Sequence, residues 1–142
     1  MSLPTTRMDK LRNLPDPVFR SFGIYALRCD SNQRVYVGLT SKPFVKRWLQ
    51  HRTDLRMHQH MRRELQQDWD AYGDEGFTCT MLEVVLSVDE LKAREQWHIL
   101  TTARAIGARQ MYNSFFANRA AREEFGITTK LSPGGMEQVF SD

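Results

Sequence analysis

The stretch Phe22–Trp48, FGIYALRCDSNQRVYVGLTSKPFVKRW, decides the fold of the chain. Its first six positions have the period-2 pattern of a β-strand, in which Phe22, Ile24 and Ala26 alternate with Gly23, Tyr25 and Leu27. The segment Asp30–Gln33 then gathers four turn-forming residues, and Val35–Val37 is a second run of β-favouring residues. We therefore predict a β-hairpin in which residues 30–33 form the loop.

The hairpin's register follows from the position of the loop. Leu27 is expected opposite Tyr36 and Tyr25 opposite Gly38, which makes the two tyrosines diagonal neighbours on one face, about 7 Å apart. Because Gly38 has no side chain, we expect the phenol of Tyr25 to be left uncovered, so that the tyrosines form an open polar floor. The hairpin alone favours a simpler interpretation, in which the tyrosines merely suit strands and the glycines mark turns or bulges.

A first helix is predicted from Phe44 to Leu55. Ser41 would cap it with its hydroxyl, and Pro43 would occupy its first turn. One stripe of this helix is apolar and consists of Phe44, Trp48 and Leu55. Arg47 and His51 lie four residues apart beside that stripe. We expect these two side chains to overhang the tyrosine floor without being buried themselves.

Further elements follow in the second half of the chain. A second helix is predicted from about His58 to Tyr72, where Gly73 ends it, and a third strand from Phe77 to Val85. The apolar stripe of the second helix would consist of Met61, Leu65, Trp69 and Tyr72.

The third predicted helix carries an acidic residue on its apolar stripe. Residues 87–90 have the pattern of a capping box and open the helix. Its apolar stripe consists of Val88, Leu91 and Ile99, and Glu95 falls in the middle of that stripe. An unpaired buried carboxylate costs several kcal/mol, so Glu95 requires a partner. That partner is either an arginine or a metal ion.

Composition favours a single domain, since the chain has 142 residues, 41% of them hydrophobic and 26% charged. We divide it into an N-terminal arm (residues 1–20), a folded domain (21–114) and a C-terminal helix with a flexible tail (115–142). Cys29 and Cys79 lack zinc-site spacing and are expected to be reduced core residues, as in a cytoplasmic protein. No apolar run approaches the length of a membrane span.

Positive charge is concentrated in one segment. The net charge is only +3, yet residues 42–63 hold seven lysines and arginines against one acid, Asp54. Such a block suggests a surface that faces a polyanion, although two solvated helix faces would produce the same pattern. The candidate nucleic-acid-binding residues are Lys46, Arg52, Arg56, Arg62 and Arg63.

Several segments resemble the motifs of the GIY-YIG nuclease family. The first three are Gly23-Ile24-Tyr25, Tyr36-Val37-Gly38 and Arg47-Trp48 with His51. The valine of the second triplet replaces the isoleucine of the family name, as is common among its members. The later ones are His60, Leu65-Gln66, Tyr72-Gly73, Arg94-Glu95-Gln96 and Tyr112-Asn113. Each segment alone is a weak signal, whereas the ordered set over residues 22–114 is a strong one.

The resemblance implies a fold and an activity. The fold would be α/β (α+β), with a small three-stranded antiparallel sheet flanked by helices. The activity would be that of an endonuclease, a hydrolase that cuts DNA phosphodiester bonds with one Mg²⁺ (or Mn²⁺) ion per active site. In the family a glutamate at the place of Glu95 binds the metal, and one carboxylate together with water and phosphate oxygens suits Mg²⁺.

The resemblance also implies roles for single residues. Tyr25 would activate the attacking water, for which neighbouring cations or the metal must lower its phenolic pKa from about 10. Tyr36 would hydrogen-bond to that water or to Tyr25, and Arg47 would clamp the scissile phosphate. His51 would orient a tyrosine or relay its proton. The expected supporting residues are Gly23, Gly38, His60 and Asn113.

Two other functions stay open at this point. A non-catalytic nucleic-acid-binding module on the same fold would bind DNA without cutting it. A small interaction protein would use the tyrosines structurally and pair Glu95 with an arginine. Double-stranded DNA is the expected partner, and no membrane is expected to be one. Because one active site cuts one strand, a double-strand break would need a homodimer or successive binding events.

Overall fold

A computed structural model describes residues 4–12, 14–113, 116 and 119–141 of the chain. Its centre is an antiparallel four-stranded sheet in the order β1-β4-β2-β3, and a separate two-stranded sheet lies near the C-terminus. The strands are β1 (Thr5–Arg7), β2 (Gly23–Cys29), β3 (Val35–Thr40), β4 (Phe77–Val84), β5 (Ile127–Ser132) and β6 (Gly135–Phe140).

Helices flank the sheet and fill the connections between its strands. They are α1 (Asp16–Arg20), α2 (Phe44–Arg56), α3 (Arg63–Tyr72), α4 (Leu91–Ile106) and α5 (Arg119–Glu124). Single 3₁₀ turns occur at Met8–Lys10, Asp74–Gly76, Val88–Glu90 and Ala108–Gln110. Among the described residues, no helix combines the length and the apolar character needed to cross a membrane.

The predicted fold class is confirmed. Strands β2, β3 and β4 are the three predicted antiparallel strands, and the hairpin has the predicted register, with Tyr25 opposite Gly38 and Leu27 opposite Tyr36. A fourth strand, β1, extends the sheet by pairing with β4. The prediction missed β1 because three polar residues in a segment rich in proline carry no recognisable strand period.

The expectation that Tyr25 is uncovered is wrong, since its side chain is 0% exposed. A Cβ atom on Gly38 would lie 2.5 Å from the Tyr25 hydroxyl oxygen and 2.9 Å from a ring carbon of Tyr36. The absent side chain of Gly38 therefore makes room for the phenol beneath helix α2, and it does not open the phenol to solvent.

Helix α2 covers this face of the sheet much as predicted, with Phe44, Trp48 and Leu55 fully buried. The predicted hydroxyl cap is wrong, because Pro43 holds the N-cap position and no side chain bonds to the first turn. A neighbouring hydroxyl orders the approach to the helix instead, since Thr40 Oγ1 accepts a hydrogen bond from the Lys42 N–H at 3.0 Å.

The second predicted helix is shorter than expected and begins at Arg63. Of its predicted apolar stripe, Leu65 is buried, Trp69 is partly buried, and Met61 is 96% exposed. Residues 57–62 form a loop that is held by the side chain of Gln66, which donates to Leu55 O at 3.0 Å and accepts from the His60 N–H at 3.2 Å. Gly73 ends α3 as predicted, and its N–H bonds to Trp69 O.

Helix α4 carries Leu91 and Ile99 into the core, as the apolar stripe predicted, whereas the third stripe residue, Val88, lies in the turn before the helix and is 59% exposed. The predicted capping box is not formed, because the Ser87 side chain makes no cap hydrogen bond and residues 88–90 adopt a 3₁₀ turn before the helix. The two cysteines, Cys29 and Cys79, are buried and free, as expected. Burial raises the pKa of the Cys79 thiol far above its usual value.

The C-terminal part of the chain differs from the predicted flexible tail. After α5, strands β5 and β6 pair over six residues each and turn at Ser132–Gly135. Proline and glycine at the turn favour such a hairpin. Ile127 and Phe140 pack against the core cluster of Ile24, Val37 and Ile99, which attaches the hairpin to the central domain.

Gly23 is expected to tolerate no side chain. A Cβ atom there would lie 2.0 Å from Glu83 O, a backbone atom of the adjacent strand, and the φ angle is +155°. We expect Gly23→Ala to lower the free energy of unfolding by about 3 kcal/mol or more, because backbone atoms must shift. Urea denaturation followed by circular dichroism measures this.

Gly134→Ala is the matched control, since nothing lies within 4 Å of its added Cβ. Its unfolding free energy should stay close to that of the wild type. Equal stabilities for the two variants would show that the close approach of β2 and β4 at Gly23 is not a constraint.

Candidate active site

A chain of hydrogen bonds runs through the side chains beneath helix α2. The Tyr25 hydroxyl lies 2.6 Å from His51 Nε2, and His51 Nδ1 lies 2.7 Å from His60 Nε2. The chain ends at a backbone group, because the N–H of Arg62 donates to His60 Nδ1 at 3.0 Å. Strand β2, helix α2 and the loop before α3 thus each contribute one side chain.

The backbone N–H of Arg62 fixes the donor and the acceptor in every hydrogen bond of this series. Because His60 Nδ1 accepts from the Arg62 N–H, a neutral His60 carries its proton on Nε2 and donates to His51. His51 must then accept at Nδ1 and carry its own proton on Nε2, from which it donates to the Tyr25 oxygen. The hydroxyl proton of Tyr25 consequently points away from the histidines.

Two further groups act on the Tyr25 hydroxyl. They are the guanidinium of Arg47 and the hydroxyl of Tyr36. The two tyrosine rings are 6.2 Å apart, and Tyr36 is only partly buried. Tyr36 is therefore the member of the pair that reaches toward solvent. Tyr25, Tyr36, Arg47, His51 and His60 are thus brought together, as the motif order suggested.

The pKa of Tyr25 shifts in the direction opposite to the one expected. Burial raises the pKa of its phenol well above the usual value, and the neighbouring Tyr36 raises it further. Arg47 lowers the pKa but does not outweigh burial. Sequence reasoning counted the cations around Tyr25 but had no means of judging how completely α2 covers it.

The two histidines of this hydrogen-bond chain, His51 and His60, are held neutral. Burial lowers the pKa of His51 well below its usual value, and the positive charge of Arg47 lowers it further. Burial likewise lowers the pKa of His60. The expectation that His51 would overhang the sheet without being buried is wrong, since it is 1% exposed. The ring lies between Tyr25, Tyr36 and His60, with centroids 5.0–5.6 Å away.

Glu95 approaches strand β3 from its outer edge. Burial raises the pKa of its carboxyl group, and the nearby charges of Lys92 and Arg62 and the N–H of Leu39 offset part of that rise. None of the ion pairs formed within the described parts of the chain includes Glu95. Arg62 therefore acts on this carboxylate through its charge, without an ion pair in direct contact.

The single carboxylate of Glu95 suits a hydrated metal ion better than an ion that is enclosed by several protein ligands. Among the described residues, no group of three or more His, Cys, Asp or Glu side chains is placed to hold a metal. A single half-buried carboxylate matches an ion such as Mg²⁺, which keeps most of its own water and shares phosphate oxygens with its substrate.

Asn113 completes the same edge of the sheet. Its side-chain oxygen accepts from the Val37 N–H at 2.9 Å, and its amide donates to Val37 O at 2.8 Å. The side chain thus pairs with β3 as a neighbouring strand would. The backbone N–H of Tyr112 adds a bond to Val35 O at 2.8 Å. Asn113 therefore supports the strand that carries Tyr36 and Gly38.

The five predicted nucleic-acid-binding residues have different surroundings. Arg52 donates to Met8 O and tethers the N-terminal segment, and Arg56 pairs with Asp74. Arg62 stacks over the ring of Tyr36, with its guanidinium carbon 5.6 Å from the centroid. Lys46 and Arg63 are exposed. Their role in binding DNA stays a prediction.

Sequence reasoning missed several participants. The cavity of about 630 Å³ beside the Tyr25 cluster is lined by Lys42 as well as Lys46 and Arg47. Gln66, which the sequence placed in a motif without a role, holds the loop that carries His60. The backbone N–H groups of Leu39 and Arg62 had no signal to find, since every residue except proline has such a donor.

Comparison with known proteins identifies a family and a relative that the chain resembles. The family model of the GIY-YIG catalytic domain matches residues 21–113. Intron-associated endonuclease 1 of Enterobacteria phage T4 is 38% identical over 133 residues, which cover 84% of this chain and 54% of that protein. The chain therefore spans about half the length of this relative.

Two solved structures are also similar. One is the catalytic domain of the intron endonuclease I-TevI in a glutamate-to-alanine mutant, with a TM-score of 0.59, 30% identity, and coverage of 69% of this chain and 97% of that one. The other is the catalytic domain of the homing endonuclease I-TevI, with a TM-score of 0.53, 30% identity, and coverage of 61% and 95%.

Burial of His51 should make the protein sensitive to acid. The folded-state pKa lies below the unfolded one, so the unfolded chain binds more protons below about pH 6.5. Stability is full above that pH and falls as the pH drops, by up to about 1.4 kcal/mol per pH unit for this group. We expect the unfolding free energy of His51→Gln to change less with pH than that of the wild type. Urea denaturation between about pH 7.5 and about pH 5, on either side of the usual histidine pKa, measures this.

His58→Gln is the control, because that ring is exposed and outside the hydrogen-bond chain. It should keep the slope of the wild type. An unchanged slope in His51→Gln would mean that the buried ring does not resist protonation.

Proposed function

The chain belongs to the GIY-YIG family of endonucleases, and we propose that it is a divalent-metal-dependent endonuclease that hydrolyses phosphodiester bonds of double-stranded DNA. The observation that supports this best is the Tyr25 hydroxyl, which is hydrogen-bonded to His51 and has the cationic side chain of Arg47 beside it. A donor and a cation next to one phenolic oxygen favour its negatively charged form.

Hydrolysis of a phosphodiester requires an activated water and positive charge near the phosphoryl oxygens. We assign activation of the water to the two tyrosines acting in series. Tyr36, the partly exposed member, passes the water's proton to a Tyr25 phenolate, and the N–H of His51 and Arg47 stabilise that phenolate until it is reprotonated. His51 therefore acts as a donor that orients Tyr25.

The histidine pair does not carry the proton outward. A proton leaving Tyr25 through the histidines would need a free lone pair on His51 Nε2, and that nitrogen already carries a hydrogen in the chain directed by the Arg62 N–H. We therefore assign His60 to holding the ring of His51 in one orientation. The proton leaves on the solvent side, through Tyr36.

We assign Arg47 to binding the scissile phosphate. Its planar group of donors suits a phosphate, and it lines the basic cavity together with Lys42 and Lys46. The same guanidinium also reaches Tyr25, so phosphate and base would share one cation. This arrangement brings the phosphorus close to the activated water.

Glu95 is the residue that would hold the single Mg²⁺ or Mn²⁺ ion. When bound, such an ion supplies positive charge to the 3′ oxygen that leaves. Glu95 lies near the N–H of Leu39 in β3, and Tyr36 lies on the same strand. The metal ligand and the tyrosine are therefore positioned by one structural element.

A second candidate is a non-catalytic nucleic-acid-binding module on the same fold. The complete burial of Tyr25 and its raised pKa favour this candidate, because such a phenol is hard to ionise. A cleavage assay distinguishes the nuclease from the binding module, since both are expected to bind DNA.

A homodimer, or two successive binding events, would be needed for the proposed nuclease to break both strands of DNA.

Nicking of supercoiled plasmid should require a divalent metal and Glu95. We expect cleavage with Mg²⁺ or Mn²⁺, none with EDTA, and a loss of at least about 100-fold in Glu95→Gln. The matched control is Glu75→Gln, since Glu75 is an exposed acid in a 3₁₀ turn. Wild-type protein that nicks no DNA under any divalent metal would favour the binding module.

The cleavage rate should rise with pH. The active form of Tyr25 is deprotonated and its pKa is raised, so the rate should increase about tenfold per pH unit through neutral pH without levelling off. Tyr25→Phe should lose about 100-fold or more. Single-turnover cleavage of labelled duplex measures both, and a rate that is independent of pH from neutral upward would exclude a phenolate base.

A further inference from the structure

A cavity of about 640 Å³ lies where the β5–β6 hairpin faces the loop before α3. Four arginines line it, namely Arg34, Arg62, Arg63 and Arg109. The C-terminal hairpin contributes apolar side chains, of which Phe140 is partly buried and Ile127 is buried. One side of the cavity is therefore cationic and another is apolar.

The cavity adjoins the candidate active site. Arg62 lines it while stacking over the ring of Tyr36, and the Arg62 N–H orients His60. Asn113 lines it while pairing with Val37 of β3. A strand of DNA whose phosphate lay at Tyr36 would thus have its neighbouring nucleotide at the cavity mouth.

The charge of the cavity suits a phosphate. Arg34 is neutralised by Glu64 and lies 3.8 Å from Asp68, so it adds little. Arg109 is exposed, and its guanidinium carbon stacks 4.4 Å from the ring centroid of Phe140. Stacking holds the guanidinium flat and leaves donors at its edge for an anion. Arg63 also lines the cavity and is exposed.

The apolar side of the cavity suits a base more than a sugar–phosphate backbone. A groove that follows the backbone alone needs charge and hydrogen-bond donors. Here Phe140 presents a ring beside a floor of Met111 and Ile127, both buried. Aromatic and apolar surfaces next to arginine are the usual platform for unstacked bases, and the volume is that of a small-ligand site.

We propose that this cavity receives one unstacked nucleotide of the DNA strand next to the cleaved phosphate. Its base packs against Phe140 and the apolar floor, and its phosphate binds Arg109 and Arg63. This inference rests on the proposed function, because it takes DNA as the substrate. It adds a preference for DNA in which a base is already unpaired, since extruding a paired base costs a few kcal/mol.

Binding without cleavage tests the inference. In EDTA, fluorescence anisotropy compares a short labelled duplex with the same duplex carrying a single-nucleotide bulge. We expect wild-type protein to bind the bulged duplex about tenfold more tightly, because the bulged base is already unpaired. Phe140→Ala and Arg109→Ala should each remove most of this preference.

Leu131→Ala is the matched control, because Leu131 lies on the same hairpin, is 75% exposed and does not line the cavity. It should keep the wild-type preference. Arg109→Ala changes an exposed side chain, so it tests the cavity even where Phe140→Ala loosens the hairpin. Equal affinity of wild-type protein for both duplexes, or a full preference in both cavity variants, would overturn the inference.

The outcome is separable from that of the proposed function. A protein that nicks plasmid with Mg²⁺ but does not distinguish the two duplexes is a nuclease without this nucleotide site. A protein that prefers the bulged duplex through Arg109 but nicks nothing has the nucleotide site and is the binding module.

Discussion

The candidate site depends on the hydrogen bond from the Arg62 N–H to His60 Nδ1. This donor cannot reverse, because a backbone amide has a proton to give and no lone pair to offer. The constraint passes from His60 to His51 and from there to the Tyr25 oxygen. One peptide group in a loop therefore decides where the protons of two rings lie and which way a buried phenol points.

The same side chains belong to the core and to the candidate site. Tyr25 packs in one cluster with Trp48 and Leu55, and burial moves the pKa of Tyr25 upward and that of His51 downward. A buried network of this kind is tolerated because its members satisfy one another's hydrogen bonds. Packing and proton chemistry are consequently linked, and a loss in one is expected to appear in the other.

The sequence predicted much of this arrangement and failed at specific points. The register of Tyr25 against Gly38 was predictable because a four-residue turn and a period-2 pattern leave one pairing. The grouping of the tyrosines with Arg47 and His51 followed from motif order. The burial of Tyr25 was not predictable, since it depends on how closely α2 approaches the sheet. The contacts of the Leu39 and Arg62 N–H groups were equally hidden, because backbone donors leave no trace in residue type.

The most direct measurement is the protonation state of the two ring systems in the folded protein. Two-bond ¹H–¹⁵N correlation spectra of histidine-labelled protein at neutral pH show which ring nitrogens carry a hydrogen. We expect His51 and His60 both to be neutral and protonated at Nε2. A hydrogen on Nδ1 of either ring, or a cationic ring, would contradict the directed chain that ends at Tyr25.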